Sequence, residues 1–255
     1  MKHPIDIQST YHDHLIEINQ SQRKEIQKLK PSTPHYRPSS AGMCSRKIYY
    51  ETILRIEPSE VDKRVQRLFR LGDLIHKDIQ DAFKKIERND SYFSIYNIYI
   101  NNIYIEKEII LKTIKVFGFA DLVVELEDGR IFLYDIKSIG SFQYKKIFSR
   151  YKEKREPSIH QELQLATYGL GVEKEFGRLD GMLILYYNKD TSMLRYKEVS
   201  RDRLLTALGF WERINTEHSR NSLPTLQESV SPVASWECSY CPFKSRCEED
   251  TKKGI

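Results

Sequence analysis

A chain of 255 residues with 40% hydrophobic and 30% charged residues is large enough for a substantial core and is not a low-complexity sequence. Its formal net charge of +5 permits nucleic-acid binding but does not establish it, because charged patches matter more than totals. It has no apolar run near the roughly 20 residues of a membrane span and no apolar secretory signal, so we expect a cytoplasmic protein without a membrane partner.

The first part of the chain predicts helices separated by a linker. Residues 1–30 mix polar and apolar side chains in a pattern compatible with a helix. Three prolines and three serines in 31–40 predict a linker without regular structure. A short helix is expected next, through Cys44 to about Ile53. Residues 1–40 are therefore predicted to be an extension and linker ahead of the main domain.

A long helix is predicted over residues 59–88. Apolar side chains recur there at helical spacing, and Ser59 followed by Asp62 resembles a capping box at the helix start. His76 lies beside the apolar stripe, so we expect it near the face that meets the core.

The rest of the chain alternates strands and helices. Tyr, Ile, Val and Phe at a period of two predict strands at about 103–112, 115–126, 131–137, 180–188 and 193–199. Helical spacing predicts helices near 141–152, 158–176 and 200–219. Asp128-Gly129 predicts a hairpin turn, and the tail from 221 to 255 is predicted to be irregular. This order favours an α/β or α+β core with a mixed sheet.

An acidic site is predicted where two of these strands end. Side chains of a strand alternate between faces, so Asp135 and Lys137 share one face while Ile136 points into the core with its carbonyl near the site. Asp121 lies on the partner strand, and the resulting oxygen-rich pocket suits Mg²⁺ or Mn²⁺. We expect Lys137 to orient or deprotonate an attacking water, because a buried lysine near a metal has a lowered pKa. A half-solvated hairpin would show the same alternation.

The four cysteines indicate a second metal site. Cys238, Cys241 and Cys247 cluster near the end of the chain, whereas Cys44 stands alone far upstream. Four thiolates suit either an iron–sulfur cluster or zinc, and zinc sites usually show two local ligand pairs. Buried cysteines without a metal are the remaining alternative.

A basic segment at 142–155 follows the acidic strand. It contains six Lys or Arg and four aromatic residues, a mixture that suits single-stranded nucleic acid because cations meet phosphates and rings stack on bases. A solvated basic helix face explains the pattern equally well. The nucleic-acid contacts predicted from this segment and from the region of the lone cysteine are Lys145, Lys146, Arg150, Tyr151 and Arg46.

Three motifs occur in the order and spacing of one nuclease family: Gly118–Asp121, Asp135–Lys137 and Gln164–Tyr168. The chain thus resembles the PD-(D/E)XK nucleases of the RecB type. The resemblance implies a restriction-endonuclease-like core with a mixed central sheet flanked by helices. It implies that Asp121 and Asp135 bind the metal, Mg or Mn, and that Lys137 is catalytic.

The same resemblance assigns roles to three further side chains. It implies that His76 and the Ile136 carbonyl complete the metal site, and an imidazole ligand would favour Mn over Mg. Gln164 and Tyr168 are four residues apart on one helix face and are implied to lie beside the active site, contacting DNA or the metal-bound water. His160 extends the same row, with an ordinary polar stripe as the alternative.

The one-plus-three arrangement of cysteines around this core resembles the iron–sulfur nucleases, which include the AddB nuclease domain and the fourth CRISPR-associated (Cas) protein. The resemblance implies that the four cysteines hold a structural [4Fe-4S] cluster that clasps the N- and C-terminal regions together. The predicted organisation is one nuclease domain over 41–250, with 41–56 and 221–250 forming the iron–sulfur part.

The resulting expectation is a divalent-metal-dependent deoxyribonuclease, an exonuclease acting on single strands or ends. The alternatives are a structure-specific endonuclease and a catalytically inactive DNA-binding scaffold of the same fold. The expected partners are DNA and a helicase, recombination or CRISPR-adaptation protein, in a prokaryotic or virus-infected cell.

Overall fold

The computed structural model describes residues 6–29, 35–59, 62–86, 99–148, 158–226 and 237–254. Its helices are α1 (Ile7–Leu29), α2 (Ser45–Thr52), α3 (Lys63–Ile86), α4 (Ser141–Phe148), α5 (Ile159–Phe176), α6 (Asp202–Ser219) and α7 (Lys244–Lys252). Its strands are β1 (Ile100–Leu111), β2 (Val116–Leu126), β3 (Ile131–Ile139), β4 (Gly181–Asn188) and β5 (Leu194–Glu198). No helix in these ranges is long and apolar enough to cross a membrane.

The five strands form one mixed sheet in the order β1-β2-β3-β4-β5. Neighbours pair antiparallel except β3 and β4, which run parallel and are connected through α4 and α5. A parallel pair needs such a crossover, because its connection must return to the starting edge of the sheet. The mixed α/β sheet expected from the sequence is confirmed.

Helices cover both faces of the sheet. Alternate residues of β2 point to opposite faces, so Val123 joins the main core while Leu122 and Val124 join a smaller apolar cluster with Phe83 of α3. The main core contains α5 and α6, and Trp211 of α6 donates from its indole nitrogen to a buried threonine hydroxyl on α5 at 2.9 Å. The apolar faces of three helices therefore fix the sheet from both sides.

A buried polar network joins the start of α2 to the end of α6. The Tyr36 hydroxyl lies 3.1 Å from His218 Nδ1, and the Ser45 hydroxyl lies 3.2 Å from His218 Nε2. Ser45 also donates to the Glu217 carboxylate, and burial lowers the pKa of His218 to about 4. The imidazole is therefore neutral at physiological pH, and the network is fully hydrogen-bonded without a buried positive charge.

The structure corrects three local expectations. The carboxylate of Asp62 caps the start of α3 by accepting from the backbone N–H groups of Arg64 and Val65. The proline-rich linker contains a 3-10 turn at Pro38–Ser40. The tail is not wholly irregular, since it holds a 3-10 turn at Glu237–Tyr240 as well as α7. Residues 31–34, 149–157 and 227–236 lie outside the described part.

Candidate active site

The candidate site lies where β2 and β3 part. Their backbone ladder reaches the pair Leu122 and Tyr134 and does not continue to Asp121 and Asp135. The N–H of Ile136 instead donates to Asp121 Oδ2 at 2.6 Å. A carboxylate thus replaces a strand carbonyl, and the two acids face the gap between the strands.

Side chains of helix α3 contact backbone groups of β2 and β3 at the point where the two strands separate. Gln80 Nε2 donates to the Asp121 carbonyl at 3.1 Å, and the Ile136 backbone acts on the His76 ring by favouring its protonated form. His76 Nδ1 also lies 3.7 Å from Asp121 Oδ2. His76 and Gln80 are one turn apart on the same helix face, so one element braces both strands.

The opposite side of the gap is closed by Lys137 and α5. Lys137 Nζ lies 2.7 Å from Asp135 Oδ2, and Gln164 Nε2 donates to Asp135 Oδ1 at 3.2 Å. Tyr168 is buried beside Gln164, whose side chain lowers the pKa of the Tyr168 hydroxyl while burial and the nearby acids raise it. Asp135 is only 1% exposed, so its orientation is fixed by these partners. His160 lies apart from them, with its Nδ1 3.4 Å from the Ala41 carbonyl.

Burial destabilises the ionised forms of both aspartates. Desolvation raises the pKa of Asp121 and that of Asp135 to about 6 each, against the lowering effect of Lys137. Burial, followed by the charge of Lys137, lowers the pKa of His76. The imidazole is therefore neutral near pH 7 and has a lone pair available to a metal ion.

The expected lowering of the Lys137 pKa is wrong for the metal-free site. Burial by itself lowers that pKa, but the charges of Asp135 and Asp121 together outweigh burial and raise it. Lys137 is consequently an ammonium ion at neutral pH. It can donate hydrogen bonds and hold charge, but it is not a base in this state.

The donor set fits a hard divalent cation. Two carboxylates, a backbone carbonyl and an imidazole converge on one gap, and desolvation raises the pKa values of both acids despite the charge of Lys137, so a further cation would stabilise their ionised forms. Among the described residues, no group of three or more His, Cys, Asp or Glu side chains is already spaced as metal ligands. At this site Asp121 accepts from the Ile136 N–H, and Asp135 Oδ2 lies 2.7 Å from the Lys137 ammonium.

Two residues of the site were missed from the sequence. Gln80 is buried and bridges Asp121 to Glu106, whose Oε1 accepts from Gln80 at 2.7 Å. Glu106 faces Asp121 across the β1–β2 pair and has a φ of 49°, a left-handed conformation that is rare in a strand. Gln80 follows His76 by four residues, and this helical spacing could have predicted that both side chains face the site. The place of Glu106 depends on strand register, which the sequence pattern does not give.

The predicted DNA contacts separate into three groups. Lys145 and Lys146 lie on α4, where Lys146 Nζ sits 3.9 Å above the centre of the Phe142 ring. Arg150 and Tyr151 lie outside the described residues. Arg46 is 2% exposed and donates to the Pro224 carbonyl at 2.6 Å, so its expected role in DNA binding is replaced by a structural one.

The four cysteines are free thiols near the contact between α2 and the C-terminal segment. Cys44 caps α2, and its N–H donates to the Glu237 carboxylate at 3.4 Å. Burial raises the pKa of the Cys44 thiol, with a further contribution from Cys241, which in turn interacts with Cys247. Cys238 is exposed. The absence of preformed ligand groups among the described residues applies here too.

Comparison with known proteins identifies the superfamily. The family model of the PD-(D/E)XK nuclease superfamily matches residues 101–248, more than half of the chain. No curated protein matches. The crystal structure of SSO0001 is similar over 91% of this chain and 94% of its own, with 17% sequence identity and a TM-score of 0.50, a likeness of fold alone. The superfamily expected from the motifs is confirmed: the chain belongs to the PD-(D/E)XK nucleases.

Proposed function

We propose that this protein is a divalent-metal-dependent deoxyribonuclease that degrades DNA from its ends and prefers single strands. The observation that carries the proposal is the meeting of two buried carboxylates, a neutral imidazole and an ammonium group where β2 and β3 part. Superfamily membership supports metal-dependent nuclease activity. The preference for ends and single strands rests on the RecB-type motifs and on the basic, aromatic segment that follows β3.

His76, Asp121, Asp135 and the Ile136 carbonyl are the groups that would hold Mg²⁺ or Mn²⁺. When bound there, the ion would act as a Lewis acid on the scissile phosphate and would lower the pKa of a water molecule that attacks it. Lys137 keeps Asp135 ionised and donates from its ammonium group toward the phosphate or the attacking water. The amide of Gln164 fixes the orientation of Asp135.

We also propose that Cys44, Cys238, Cys241 and Cys247 hold a structural [4Fe-4S] cluster. The contact between α2 and the C-terminal segment supports it, because that contact gathers cysteines from both ends of the chain. Anaerobic purification should give a brown protein with a broad visible absorption, and a change of Cys241 to alanine should remove the colour. A colourless protein that binds zinc instead would contradict the cluster.

The nuclease proposal is tested by digestion of end-labelled single- and double-stranded DNA with Mg²⁺ or Mn²⁺. We expect loss of label from linear single strands, dependence on the metal, and at least a hundredfold loss of rate in Asp135→Ala, since metal-site side chains supply several kcal/mol of transition-state stabilisation. Asp81→Asn, which alters an exposed acid on α3, is the matched control and should be fully active.

Two results would contradict this proposal and favour another function. Cleavage of circular single strands at the same rate as linear ones would indicate an endonuclease. No cleavage of any DNA by pure, metal-loaded protein, together with tight DNA binding, would indicate an inactive scaffold.

A further inference from the structure

The N-terminal half of α3 leaves large apolar side chains in solvent. Phe69 is 60% exposed and Leu71 is 42% exposed, and their neighbours Leu68 and Leu74 are also exposed. The C-terminal half of the same helix contributes Phe83 to the apolar cluster on the sheet. These side chains leave the helix in different directions, and Phe69 is the most exposed of the four and the only aromatic residue in 63–74.

The same half of the helix is strongly basic. Residues 63–70, here named the basic segment, contain Lys63, Arg64, Arg67 and Arg70 and no acidic residue. An exposed ring among cations suits single-stranded nucleic acid, whose bases stack on the ring while its phosphates meet the cations. A second copy of the same segment would bring like charges together, which disfavours self-association there.

Phe69 is aligned with the active site. It precedes His76 by seven residues, which is two helical turns and about 10.5 Å along the axis, so both side chains leave the helix on nearly the same side. Between them, a side-chain carbon added at Gly72 would lie 3.3 Å from the Ser138 hydroxyl, directly after Lys137 on β3. Phe69 therefore lies about one helical turn from the level of Ser138, near the end of the strand that carries Lys137.

We propose that Phe69 is a stacking platform for a base of single-stranded DNA entering the site, with Arg70 and the rest of the basic segment meeting the backbone. This rests on the nuclease function proposed above and adds the surface by which substrate arrives. The distance from Phe69 to His76 corresponds to about three stacked nucleotides at 3.4 Å each. The base on Phe69 is thus a close neighbour of the scissile phosphate, not a remote anchor.

The test measures binding of a fluorescent 20-nucleotide single strand by anisotropy, in EDTA so that metal-dependent cleavage stops. We expect Phe69→Ala to weaken binding about tenfold and Phe69→Trp to restore it, since base stacking tolerates any large ring. Leu71→Ala removes another exposed apolar side chain, 42% exposed, from a different face of the same helix and should change binding less than twofold. Blunt duplex, whose bases are already paired and stacked, should bind both variants alike.

The possible failures are distinguishable. If the wild-type protein neither binds nor cuts DNA, the proposed function and this inference fall together. If the wild type binds and cuts while Phe69→Ala matches Leu71→Ala, only the stacking platform is overturned. It is also overturned if Phe69→Ala leaves DNA binding intact but dissociates an oligomer in sedimentation or abolishes binding to anionic vesicles, because the occupant is then a second copy or a membrane.

Discussion

At the scale of single residues, the folded site removes Asp121 and Asp135 from water, which makes their ionised forms less stable. An ordinary aspartate has a pKa near 3.8, whereas burial raises those of Asp121 and Asp135 to about 6. The folded protein therefore binds more protons than the unfolded chain between about pH 4 and pH 6. The stability that these carboxyls contribute is present below the unfolded pKa and is lost as the pH rises through about 6.

The first prediction follows from this loss of stability at high pH. At pH 7.5 the metal-free protein carries the full cost of ionised Asp121, on the order of 3 kcal/mol for a shift of about two pKa units. Asp121→Asn keeps an oxygen acceptor for the Ile136 N–H and removes the charge, so we expect the metal-free variant to melt at a higher temperature than the wild type at pH 7.5. Nuclease activity should be lost.

Thermal melts in EDTA across pH 4 to 8 check this prediction. The advantage of Asp121→Asn should disappear near pH 4, where the wild-type carboxyl is already protonated. A variant that is less stable than the wild type at every pH would show that the carboxylate stabilises the fold.

Much of this site could be predicted from single residues. The alternation of a strand placed Asp135 and Lys137 on one face, and the structure joins them by a 2.7 Å ion pair. The protonation of Lys137 could not be predicted, because it depends on how two buried acids and one buried ammonium balance in three dimensions. Glu106 was missed because strand register decides which residue faces Asp121.

At the scale of elements, α3 acts as a brace for an interrupted sheet. Gln80 donates hydrogen bonds to the Asp121 carbonyl and to Glu106, and one turn earlier His76 lies 3.7 Å from the Asp121 carboxylate and beside the Ile136 backbone. The helix thus replaces backbone hydrogen bonds that the parted strands do not make with each other. Because these bonds come from side chains of one rigid helix, the gap between β2 and β3 keeps a fixed width.

The second prediction concerns this brace. Gln80→Leu fills similar volume but leaves the Asp121 carbonyl and the Glu106 carboxylate without their donor, which should cost about 1–3 kcal/mol. We expect a lower denaturant midpoint and a loss of nuclease rate, measured by urea unfolding and by the end-label assay. Lys77→Leu, on the exposed face of α3, should alter neither. Unchanged activity in Gln80→Leu would mean that the strands hold the gap alone.

The predicted elements were accurate wherever apolar periodicity was strong. The expected strand over 115–126 is Val116–Leu126, and the expected helix over 158–176 is Ile159–Phe176. Helix α7 was missed because its nine residues, KSRCEEDTK, have no apolar stripe to reveal it. Contacts with α2 hold it, including a hydrogen bond from the Tyr50 hydroxyl to Asp250 at 3.0 Å, and no local pattern reports such contacts.

At the scale of the whole molecule, the region around α2 is joined to the C-terminal segment. Ser59 N donates to the Pro242 carbonyl at 3.1 Å, and the Arg46 guanidinium donates to the Thr251 hydroxyl at 3.0 Å. Asp250 is buried between Tyr50 and Arg246. None of these bonds involves Asp121, Asp135 or Lys137, so this contact can be altered without changing the acidic side chains.

The third prediction tests the joined ends. Asp250→Ala leaves the buried Tyr50 hydroxyl without its acceptor, which should cost about 1–3 kcal/mol and loosen the C-terminal segment. Limited proteolysis should release a C-terminal peptide earlier than in the wild type, with metal-dependent cleavage retained in the intact fraction. Glu248→Ala removes an exposed acid of the same helix and serves as the control. Equal proteolysis of both variants would contradict a role for Asp250 in holding the ends together.

The parting of β2 and β3 also has a consequence for the order in which the molecule assembles. Three consecutive antiparallel strands form from contacts that are short in sequence, whereas the parallel partner β4 waits for a crossover of two helices. Contacts between near neighbours in sequence form early in folding, and those between distant segments form late. We therefore expect Asp121 and Asp135 to face each other before the two ends of the chain meet. The nascent protein would then have an acidic gap open to cations before its fold is closed.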